Sequence, residues 1–277
     1  MTVTQTVLET MCEITARAGD VVMEVYGGVV SHSTKPDSSP VTEADVRADA
    51  VIRSALNRAF PGVTVISEES PPAARGPRES FFLVDPLDGT REFISQTGEF
   101  TVNVALISRG QPVAGVVCAP VTGDLFFAAA GMGAFKRSGE NSASLEVATF
   151  EGDRPLRVIG SRAHGGFMLQ SWLNTLPVEY TFAASGSSLK CCCIAEGKAD
   201  IYPRFGHTSQ WDTAAAQCVL EQAGGVMLAM DRSRLRYGAD RPMQNPFLAA
   251  VGDSRLFALL PVVECTDGST GPEDLRP

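Results

Sequence analysis

The chain contains few of the residues from which several common kinds of site are built. It has three histidines, His32, His164 and His207, and none of them forms, with the seven cysteines, the spacing of a zinc site. Because the histidines are scattered, we expect each to be structural or exposed to solvent. No cysteine or histidine arrangement typical of covalent nucleophilic catalysis is evident. The sequence therefore does not favour a zinc protein or a hydrolase with a covalent intermediate.

Positive charge is also scarce. The 277 residues include 23 Lys and Arg against 32 Asp and Glu, which gives a formal net charge of −9. A broad nucleic-acid-binding surface needs the opposite balance, so we expect no nucleic acid polymer as a partner. An anionic substrate would need local positive charge or a bound metal ion.

Long apolar runs are missing as well. No segment has the length of a transmembrane helix, and the N-terminus lacks a basic region followed by an unbroken apolar run. The odd number of cysteines in a chain of this size favours reduced, mostly buried thiols over a disulfide framework. We therefore expect a cytoplasmic protein without a transmembrane segment, and peripheral membrane association is compatible with the sequence.

The chain is long and apolar enough for a substantial core. With 277 residues and 44% hydrophobic content, it predicts one large domain or two closely joined halves. A change of pattern near residue 150 predicts a single unit over residues 1–263 with two subdomains, about 1–150 and about 151–263. Residues 264–277, rich in Gly, Pro, Asp and Glu, are expected to form a flexible tail.

Hydrophobic periodicity predicts a mixture of helices and strands. Apolar residues recur at helical spacing from Val3 to Val25, and a second helix is expected to run to about Phe60. The pattern of residues 101–130 is typical of an antiparallel meander, and residues 138–144 are expected to form a polar loop. Beyond Leu156, strands and helices alternate. A strand is also expected at residues 29–35, before the turn-rich segment KPDSSP.

The stretch FFLVDPLDGTREFI, residues 81–94, is the strongest candidate for a functional element. Four bulky apolar residues predict a buried strand, and Pro86 is expected to turn the chain because it cannot donate to a strand ladder. Asp85 and Asp88 would then lie at the end of the strand. Gly89 permits a tight backbone, and Thr90 is expected to cap a short helix.

This combination suits a divalent cation and a phosphate together. Hard cations such as Mg²⁺ prefer carboxylate and carbonyl oxygens, and the N–H groups at a helix N-terminus attract phosphate oxygens. The alternative interpretation is two ordinary turns, Asp-Pro and Asp-Gly. Their position in one short loop directly after a buried strand weakens that alternative.

Three other acidic positions have two interpretations each. Thr42 and Asp45 form the pattern of a capping box, and Asp45 could instead orient a hydroxyl or a metal-bound water. Glu68 follows a short strand and is either a loop residue or a cation ligand, the latter only if its strand neighbours the Phe81 strand. Asp212 is either a first-turn helix acid or a ligand delivered from a distant segment.

A serine-rich segment has a similar ambiguity. Ser185, Gly186, Ser187 and Ser188 precede a predicted helix that carries Lys190. Their side chains could cap the helix or hold an oxygen-rich ligand, and the sequence favours the cap.

Taken together, these motifs strongly resemble the inositol monophosphatase superfamily of Mg²⁺-dependent, lithium-sensitive phosphatases. The resemblance runs from about Val41 to Phe247. The segments that carry it are PVTEAD, SEES, VDPLDGTREFI, GEFTVNVALI, GVVCAP, GSSLK, AEGKADIYPRFG and WDTAAA. Their sequences are similar to those of the bacterial 3′(2′),5′-bisphosphate nucleotidases linked to sulfate assimilation. The resemblance implies an α/β fold, a layered αβαβα sandwich of the sugar-phosphatase type.

The resemblance also implies roles for residues at matching positions. Two or three Mg²⁺ ions would be held by Glu68, Asp85, Asp88 and Asp212 with the backbone carbonyl of Leu87. Gly89 and Thr90 would hold the scissile phosphate, and Asp45, Glu68 and Thr90 are the catalytic candidates, with Asp45 and Thr90 positioning the attacking water. The substrate-binding set implied is Glu68, Leu87, Asp88, Gly89, Thr90, Lys190, Arg204 and Asp212.

Arg204 is the position from which we predict the type of substrate. The inositol-specific branch has an acidic side chain at this position, which can accept hydrogen bonds from inositol hydroxyls, and an arginine cannot. A guanidinium instead suits a second phosphate, so Arg204, with Lys190, is a candidate for recognising substrate charge. The alternative for Arg204 is a surface salt bridge.

The function implied is hydrolysis of the 3′-phosphate of adenosine 3′,5′-bisphosphate to AMP and phosphate by metal-activated water. Inositol monophosphatase or fructose-1,6-bisphosphatase activity is the enzymatic alternative, because the metal core is shared. A noncatalytic phosphometabolite-binding or metal-sensing protein is the alternative from another class. A homodimer is compatible with the resemblance.

Overall fold

The computed structural model describes residues 3–28, 32–34, 40–70, 79–161 and 166–262. The helices are α1 (Gln5–Tyr26), α2 (Glu43–Ala59), α3 (Thr90–Ile94), α4 (Gly166–Thr175), α5 (Leu189–Ala195) and α6 (Gln210–Gln222), with a 3-10 helix at Ser254–Leu259. The strands are β1 (His32–Thr34), β2 (Pro40–Thr42), β3 (Thr64–Ser67), β4 (Ser80–Asp88), β5 (Thr101–Ser108), β6 (Gln111–Ala119), β7 (Asp124–Ala129), β8 (Gly133–Ser138), β9 (Asn141–Ser144), β10 (Leu156–Gly160), β11 (Tyr180–Ala184), β12 (Ile201–Arg204), β13 (Val226–Ala229) and β14 (Leu248–Val251).

A seven-stranded sheet dominates the first half of the chain. Its strands follow chain order from β3 to β9, with β3 parallel to β4 and every later pair antiparallel. The predicted antiparallel meander is therefore confirmed. Strand β5 is buried along nearly its whole length, which explains its almost continuous apolar sequence. Helices α1 and α2 pack on one face of this sheet.

A five-stranded sheet forms the second half, in the order β11-β10-β12-β14-β13. Helices α5 and α6 lie between the two sheets and share one core with both of them. The close approach of α6 depends on small residues, because a Cβ on Gly115 of β6 would lie 2.4 Å from the carbonyl oxygen of Ala215. Helix α4 and the 3-10 helix cover the outer face of the second sheet.

The layers therefore run helix, sheet, helix, sheet, helix, and the predicted αβαβα sandwich is confirmed. One sheet ends at Ser144 and the other begins at Leu156. The division into subdomains near residue 150 stays a prediction.

Three local predictions are wrong. Strand β4 continues through Pro86 to Asp88, because a bulge between Asp85 and Asp88 removes the need for a ladder hydrogen bond at the proline. Residues 138–144 are not a loop, since β8 and β9 pair as a hairpin. The N-cap of α3 is Gly89, and Thr90 is the first helical residue.

Some predictions fall outside the described residues. Of the strand expected at residues 29–35, only β1 is described. Most of the KPDSSP segment, His164 and the tail at residues 264–277 also lie outside the described residues. Across the described helices, none is both long and apolar enough to cross a membrane. The six described cysteines are free thiols, and all but Cys193 are buried.

Candidate active site

Strand pairing brings the first two acidic segments together. Strand β3 is parallel to β4, with Ser67 opposite Val84, so both strands deliver their following residues to the same edge of the sheet. The backbone N–H of Glu68 donates to the carbonyl of Val84 over 3.1 Å. Glu68 thus lies beside Asp85, and the neighbouring strands on which its proposed role depends are present.

The β4 bulge and the turn after it shape the second part of the site. Asp85 is buried, and its Oδ1 accepts a hydrogen bond from the N–H of Leu87 at 3.1 Å. Gly89 has φ +91°, a left-handed conformation that glycine adopts without strain. A Cβ there would lie 3.2 Å from the carbonyl oxygen of Glu99. The glycine therefore permits both the turn and the close approach of a neighbouring loop.

The capping box at the start of α2 is confirmed, and it also serves the site. The Oδ2 of Asp45 accepts from the N–H of Thr42 at 2.8 Å and from its hydroxyl at 2.6 Å. The other carboxylate oxygen lies 3.2 Å from the hydroxyl of Thr90, which is also 3.2 Å from the carbonyl of Leu87. The two interpretations of Asp45 are thus compatible, because one oxygen caps the helix and the other reaches Thr90.

Helix α6 delivers the most distant acid. Asp212 is the third helical residue, and its Oδ2 accepts from the N–H of the N-cap residue Ser209 at 2.9 Å. This bond fixes the carboxylate at the N-terminus of α6, and this end of the helix borders a cavity together with residues of the DPLDGT segment. Asp212 borders the same cavities as Glu68 and Asp88.

The clustered carboxylates strongly perturb one another. Burial raises the pKa of Asp85 well above its ordinary value, and Glu68, Asp88, Asp212 and Asp45 raise it further. Burial, together with Asp88, raises the pKa of Asp212 to about 8. The pKa of Asp88 is raised by burial as well, although Lys190 and Ser188 oppose the shift. Such a cluster favours protonation unless a cation neutralises it.

These donors fit a hard divalent cation. The cavity next to α6 is bordered by Leu87 and by four of these acids, Glu68, Asp85, Asp88 and Asp212, so carboxylate and backbone carbonyl oxygens are at hand. Within the described part of the chain, no three His, Cys, Asp or Glu side chains converge as a ready-made ion-binding group. Mg²⁺ does not require one, because it usually keeps several waters and takes one or two carboxylates together with substrate phosphate. The donor chemistry matches that mode of binding.

A basic region lies in the adjoining cavity, which encloses about 240 Å³. Lys190 and Arg204 border it together with Glu68, Asp88 and Asp212. The Arg204 guanidinium is buried, with its Nη2 donating to the carbonyl of His207 at 2.7 Å. No salt bridge of Arg204 is found among the described residues, so the salt-bridge alternative is not supported.

Lys190 is held mainly by the backbone. Its ammonium donates to the carbonyls of Ser187 at 2.6 Å and Ser185 at 3.3 Å, and it lies 5.3 Å from the centre of the Tyr202 ring. Burial lowers the pKa of Lys190, and Arg204 lowers it further, whereas Asp88 raises it. The lysine therefore shapes the serine-rich turn as well as bordering the cavity.

Several groups that contact Asp88 are not predicted from the sequence. The capping interpretation is wrong for Ser188, whose hydroxyl makes no capping bond and instead lies 3.0 Å from the Oδ2 of Asp88. Asn103 and Thr101, on β5, approach the same oxygen at 3.4 and 3.5 Å. A polar Asn within the apolar run TVNVALIS was the available signal for Asn103. His207, expected to be structural or exposed, is exposed and borders the acidic cavity beside Gln244.

Comparisons with known proteins agree with this geometry. The family model described as Inositol monophosphatase family matches residues 3–258. The chain is 43% identical to the 3′(2′),5′-bisphosphate nucleotidase CysQ of Salmonella typhimurium, over 86% of this chain and 97% of the relative. The Escherichia coli protein of the same name is 42% identical over the same shares.

A solved structure is similar over most of the fold. The crystal structure of CysQ from Bacteroides thetaiotaomicron, described as a bacterial member of the inositol monophosphatase family, matches with a TM-score of 0.78 at 33% identity. The match covers 89% of this chain and 97% of that one. Sequence, site geometry and fold agree across nearly the whole length, and the chain belongs to the inositol monophosphatase family.

Proposed function

We propose that the chain is a Mg²⁺-dependent 3′(2′),5′-bisphosphate nucleotidase that removes the 3′-phosphate of adenosine 3′,5′-bisphosphate, giving AMP and phosphate. The observation that carries the proposal is the joining of two chemistries in one cavity. Three of the acids, Glu68, Asp88 and Asp212, border the same cavity as the buried cations Lys190 and Arg204. The relatives in Salmonella typhimurium and Escherichia coli carry this nucleotidase name.

A substrate with two phosphates suits this arrangement. One phosphate would lie at the acidic side, where a bound cation bridges it to the carboxylates, and the second would face the cations. A guanidinium binds phosphate in a fixed fork, and the Nε of Arg204 is buried without a hydrogen-bond partner among the described residues. The 5′-phosphate would supply that partner. Inositol 1-phosphate has no group of comparable charge to place there.

Metal binding falls to the acidic residues. Glu68, Asp85, Asp88 and Asp212, with the carbonyl of Leu87, would hold the ions, and two or three ions are proposed. Bound Mg²⁺ would lower the pKa of a coordinated water and stabilise charge on the attacking and leaving oxygens. Lithium sensitivity is proposed on the same basis, as a property of this ligand set.

Thr90 and Asp45 would orient the attacking water. The Thr90 hydroxyl can donate to the Oδ1 of Asp45 or to the carbonyl of Leu87, each at 3.2 Å, which leaves its lone pairs available to a water in the cavity. Asp45 is held by both bonds from Thr42, so the Thr90 hydroxyl has a fixed acceptor. A proton that leaves the water can pass to Thr90 while Thr90 passes its own to Asp45. Glu68 would assist as a catalytic carboxylate on the opposite side of the loop.

The scissile phosphate would be held by the turn after β4. The N–H groups in the first turn of a helix have no intrahelical acceptor, and those of Gly89 and Thr90 lie at the start of α3 beside the acids. Because Gly89 carries no side chain, phosphate oxygens can approach the backbone closely.

Steady-state kinetics on a substrate panel test this function. Phosphate release would be measured from adenosine 3′,5′-bisphosphate, inositol 1-phosphate and fructose 1,6-bisphosphate, with Mg²⁺ and with EDTA. We expect the highest kcat/KM for the nucleotide, dependence on Mg²⁺, and loss of turnover in Asp88→Asn. A preference for inositol or fructose phosphate would overturn the specificity proposal, and no turnover on any of the three would favour a binding protein.

We also propose an oligomeric state and a cellular location for the protein. We propose a homodimer through the edge of the second sheet, where β11 is the outermost strand and Phe167 and Phe182 are 85% and 42% exposed. Light scattering on the wild type and on Phe167→Ser tests this, and a monomeric wild type would refute it. A cytoplasmic location is supported by the six free thiols of the described chain.

A further inference from the structure

The Ser188 hydroxyl lies between two of the acidic segments. It is 3.0 Å from the Oδ2 of Asp88 and 2.8 Å from the backbone carbonyl oxygen of Asp212. Its oxygen also accepts a 2.9 Å hydrogen bond from the side-chain amide of Asn103. One side chain thus contacts β4, β5 and α6. It joins the seven-stranded half of the site to the helices that come from the second half.

The Ser188 hydroxyl is not used to cap its own helix. Ser188 occupies the N-cap position of α5, where a serine side chain ordinarily accepts a bond from the first helical turn, yet it makes none. The residue is only 4% exposed, so little of it is accessible to solvent. Helix α5 therefore lacks the stabilisation of a serine cap, and the hydroxyl contacts Asp88 instead.

The Asp88 carboxylate is approached by side chains from β5 and from the start of α5. Among the described residues, the side chains of Ser188, Asn103 and Thr101 approach its Oδ2. Ser188 is the nearest of them, and the other two lie beyond ordinary hydrogen-bond length. Anchoring Oδ2 in this way restricts the rotation of a carboxylate that borders both cavities.

Asn103 orients the serine in turn. The amide is 1% exposed, and its nitrogen faces both the Ser188 oxygen and the Asp88 carboxylate. Its Oδ1 is buried without a hydrogen-bond partner among the described residues, which is unfavourable for a buried polar atom. The amide keeps this orientation because its N–H groups then face the Asp88 carboxylate and the Ser188 oxygen, which accept hydrogen bonds. Since that nitrogen donates to the Ser188 oxygen, the hydroxyl proton is directed to Asp88 or to the Asp212 carbonyl.

We propose that Ser188 is a positioning residue that fixes Asp88 against the N-terminus of α6 and thereby sets the cation affinity of the acidic cluster. The proposal rests on the metal-dependent function proposed above, because it concerns the same carboxylates. Ser188 does not touch the substrate in this role. It acts through Asp88, as the outer partners of metal ligands do in general, and loss of such a partner typically weakens metal binding 10–100-fold.

Terbium binding in the absence of substrate provides a readout independent of turnover. Trp211 borders the acidic cavity and can transfer excitation to Tb³⁺ bound there, and Mg²⁺ affinity follows from competition. We expect Ser188→Ala to raise the Kd for Tb³⁺ and for Mg²⁺ about tenfold. Ser188→Thr, which retains a hydroxyl, should restore most of the affinity. Turnover at saturating Mg²⁺ should fall much less than turnover at limiting Mg²⁺.

A matched control is available in the first half of the chain. Ser138 also bonds a carboxylate, Asp124, at 2.5 Å, but between β7 and β8 and outside both cavities, so Ser138→Ala should remove the same kind of contact without changing the Kd. Thermal unfolding in EDTA checks that each variant folds. If Ser188→Ala does not fold, Asn103→Ser carries the test, because it removes the group that orients Ser188, and it should weaken Tb³⁺ binding in the same direction.

The outcomes separate this inference from the proposed function. Unchanged Tb³⁺ and Mg²⁺ affinity in Ser188→Ala, or in Asn103→Ser where that variant is used, would overturn the positioning role even if the enzyme is a nucleotidase. An equal loss in Ser188→Thr would also overturn it. A wild type that binds Tb³⁺ through Asp88 but hydrolyses none of the substrates would refute the proposed function and leave the positioning result intact.

Discussion

Removing the Arg204 guanidinium should weaken binding of a bisphosphate without disabling the chemistry. The side chain is 9% exposed, and one of its nitrogens, Nη2, is satisfied by the carbonyl of His207 at 2.7 Å. Its Nε has no hydrogen-bond partner among the described residues. A hydrogen bond to a charged group contributes about 1.5–3 kcal/mol, and each 1.4 kcal/mol corresponds to tenfold in affinity. Arg204→Ala should therefore raise KM about 10- to 100-fold for adenosine 3′,5′-bisphosphate.

The choice of substrate tests the reason for the loss. Adenosine 3′-monophosphate carries the scissile phosphate but no 5′-phosphate, so Arg204→Ala should change its kcat/KM little. Arg204→Lys keeps the charge without the planar fork, and its KM for the bisphosphate should be intermediate. Initial rates of phosphate release at saturating Mg²⁺ give both constants for each variant and substrate.

A second arginine provides the control. Arg154 pairs with Asp200 at 2.6 Å and does not border either active-site cavity, so Arg154→Ala should lower stability and leave KM unchanged. The reasoning about Arg204 would be refuted by an unchanged KM for the bisphosphate. It would also be refuted by equal losses on the two nucleotides, since that result would assign Arg204 a general effect on the cavity.

Three further predictions follow from the same structure. Asp85→Asn should reduce turnover at least about 100-fold and raise the midpoint of thermal unfolding in EDTA by about 2–4 °C, because burial and neighbouring acids hold the Asp85 pKa high. Asp200, whose pKa is lowered to about 2 by its bonds to Arg154 and Arg157, should stabilise the fold above its ordinary pKa of 3.8 and lose that effect as pH falls toward about 2. Urea unfolding of Asp200→Asn should show this as a deficit that shrinks with acid. Gly89→Ala should cost about 1–2 kcal/mol in urea unfolding and lower kcat, because φ is +91°.

Each of these predictions has a result that would contradict it. A lower unfolding midpoint for Asp85→Asn in EDTA would show that the carboxylate stabilises the apo fold. A deficit of Asp200→Asn that stays constant from pH 6 to pH 2.5 would show that the Asp200 charge does not provide the stabilisation. A Gly89→Ala enzyme with normal stability and kcat would show that the turn tolerates a side chain.

Much of the site could be predicted because its determinants are local. The capping box of Thr42 and Asp45 lies within four residues, and the strand, acids and glycine of the DPLDGT segment are consecutive. The ligand role predicted for Glu68 depends on β3 lying next to the strand that precedes the DPLDGT segment. The parallel pairing of β3 with β4 meets this condition. Resemblance supplied the rest of the ligand set, including Asp212.

The errors have physical reasons of two kinds. A proline within an apolar run predicts the end of a strand, but a bulge at Pro86 accommodates the missing N–H donor. The sequence does not reveal where the partner strand allows a bulge. Ser188 was assigned to its own helix, because the group that it actually contacts, Asp88, is distant in the chain. Local rules assign a polar side chain to its nearest backbone, and tertiary contacts override them at functional sites.

Product identification tests the central claim most directly. In the proposed complex the 3′-phosphate lies among the carboxylates and the 5′-phosphate against Arg204, so complete digestion of adenosine 3′,5′-bisphosphate with Mg²⁺ should yield adenosine 5′-monophosphate and one equivalent of phosphate. Phosphorus NMR distinguishes this product from adenosine 3′-monophosphate, and EDTA should abolish its formation. Accumulation of the 3′-monophosphate, or product formation that persists in EDTA, would contradict the account.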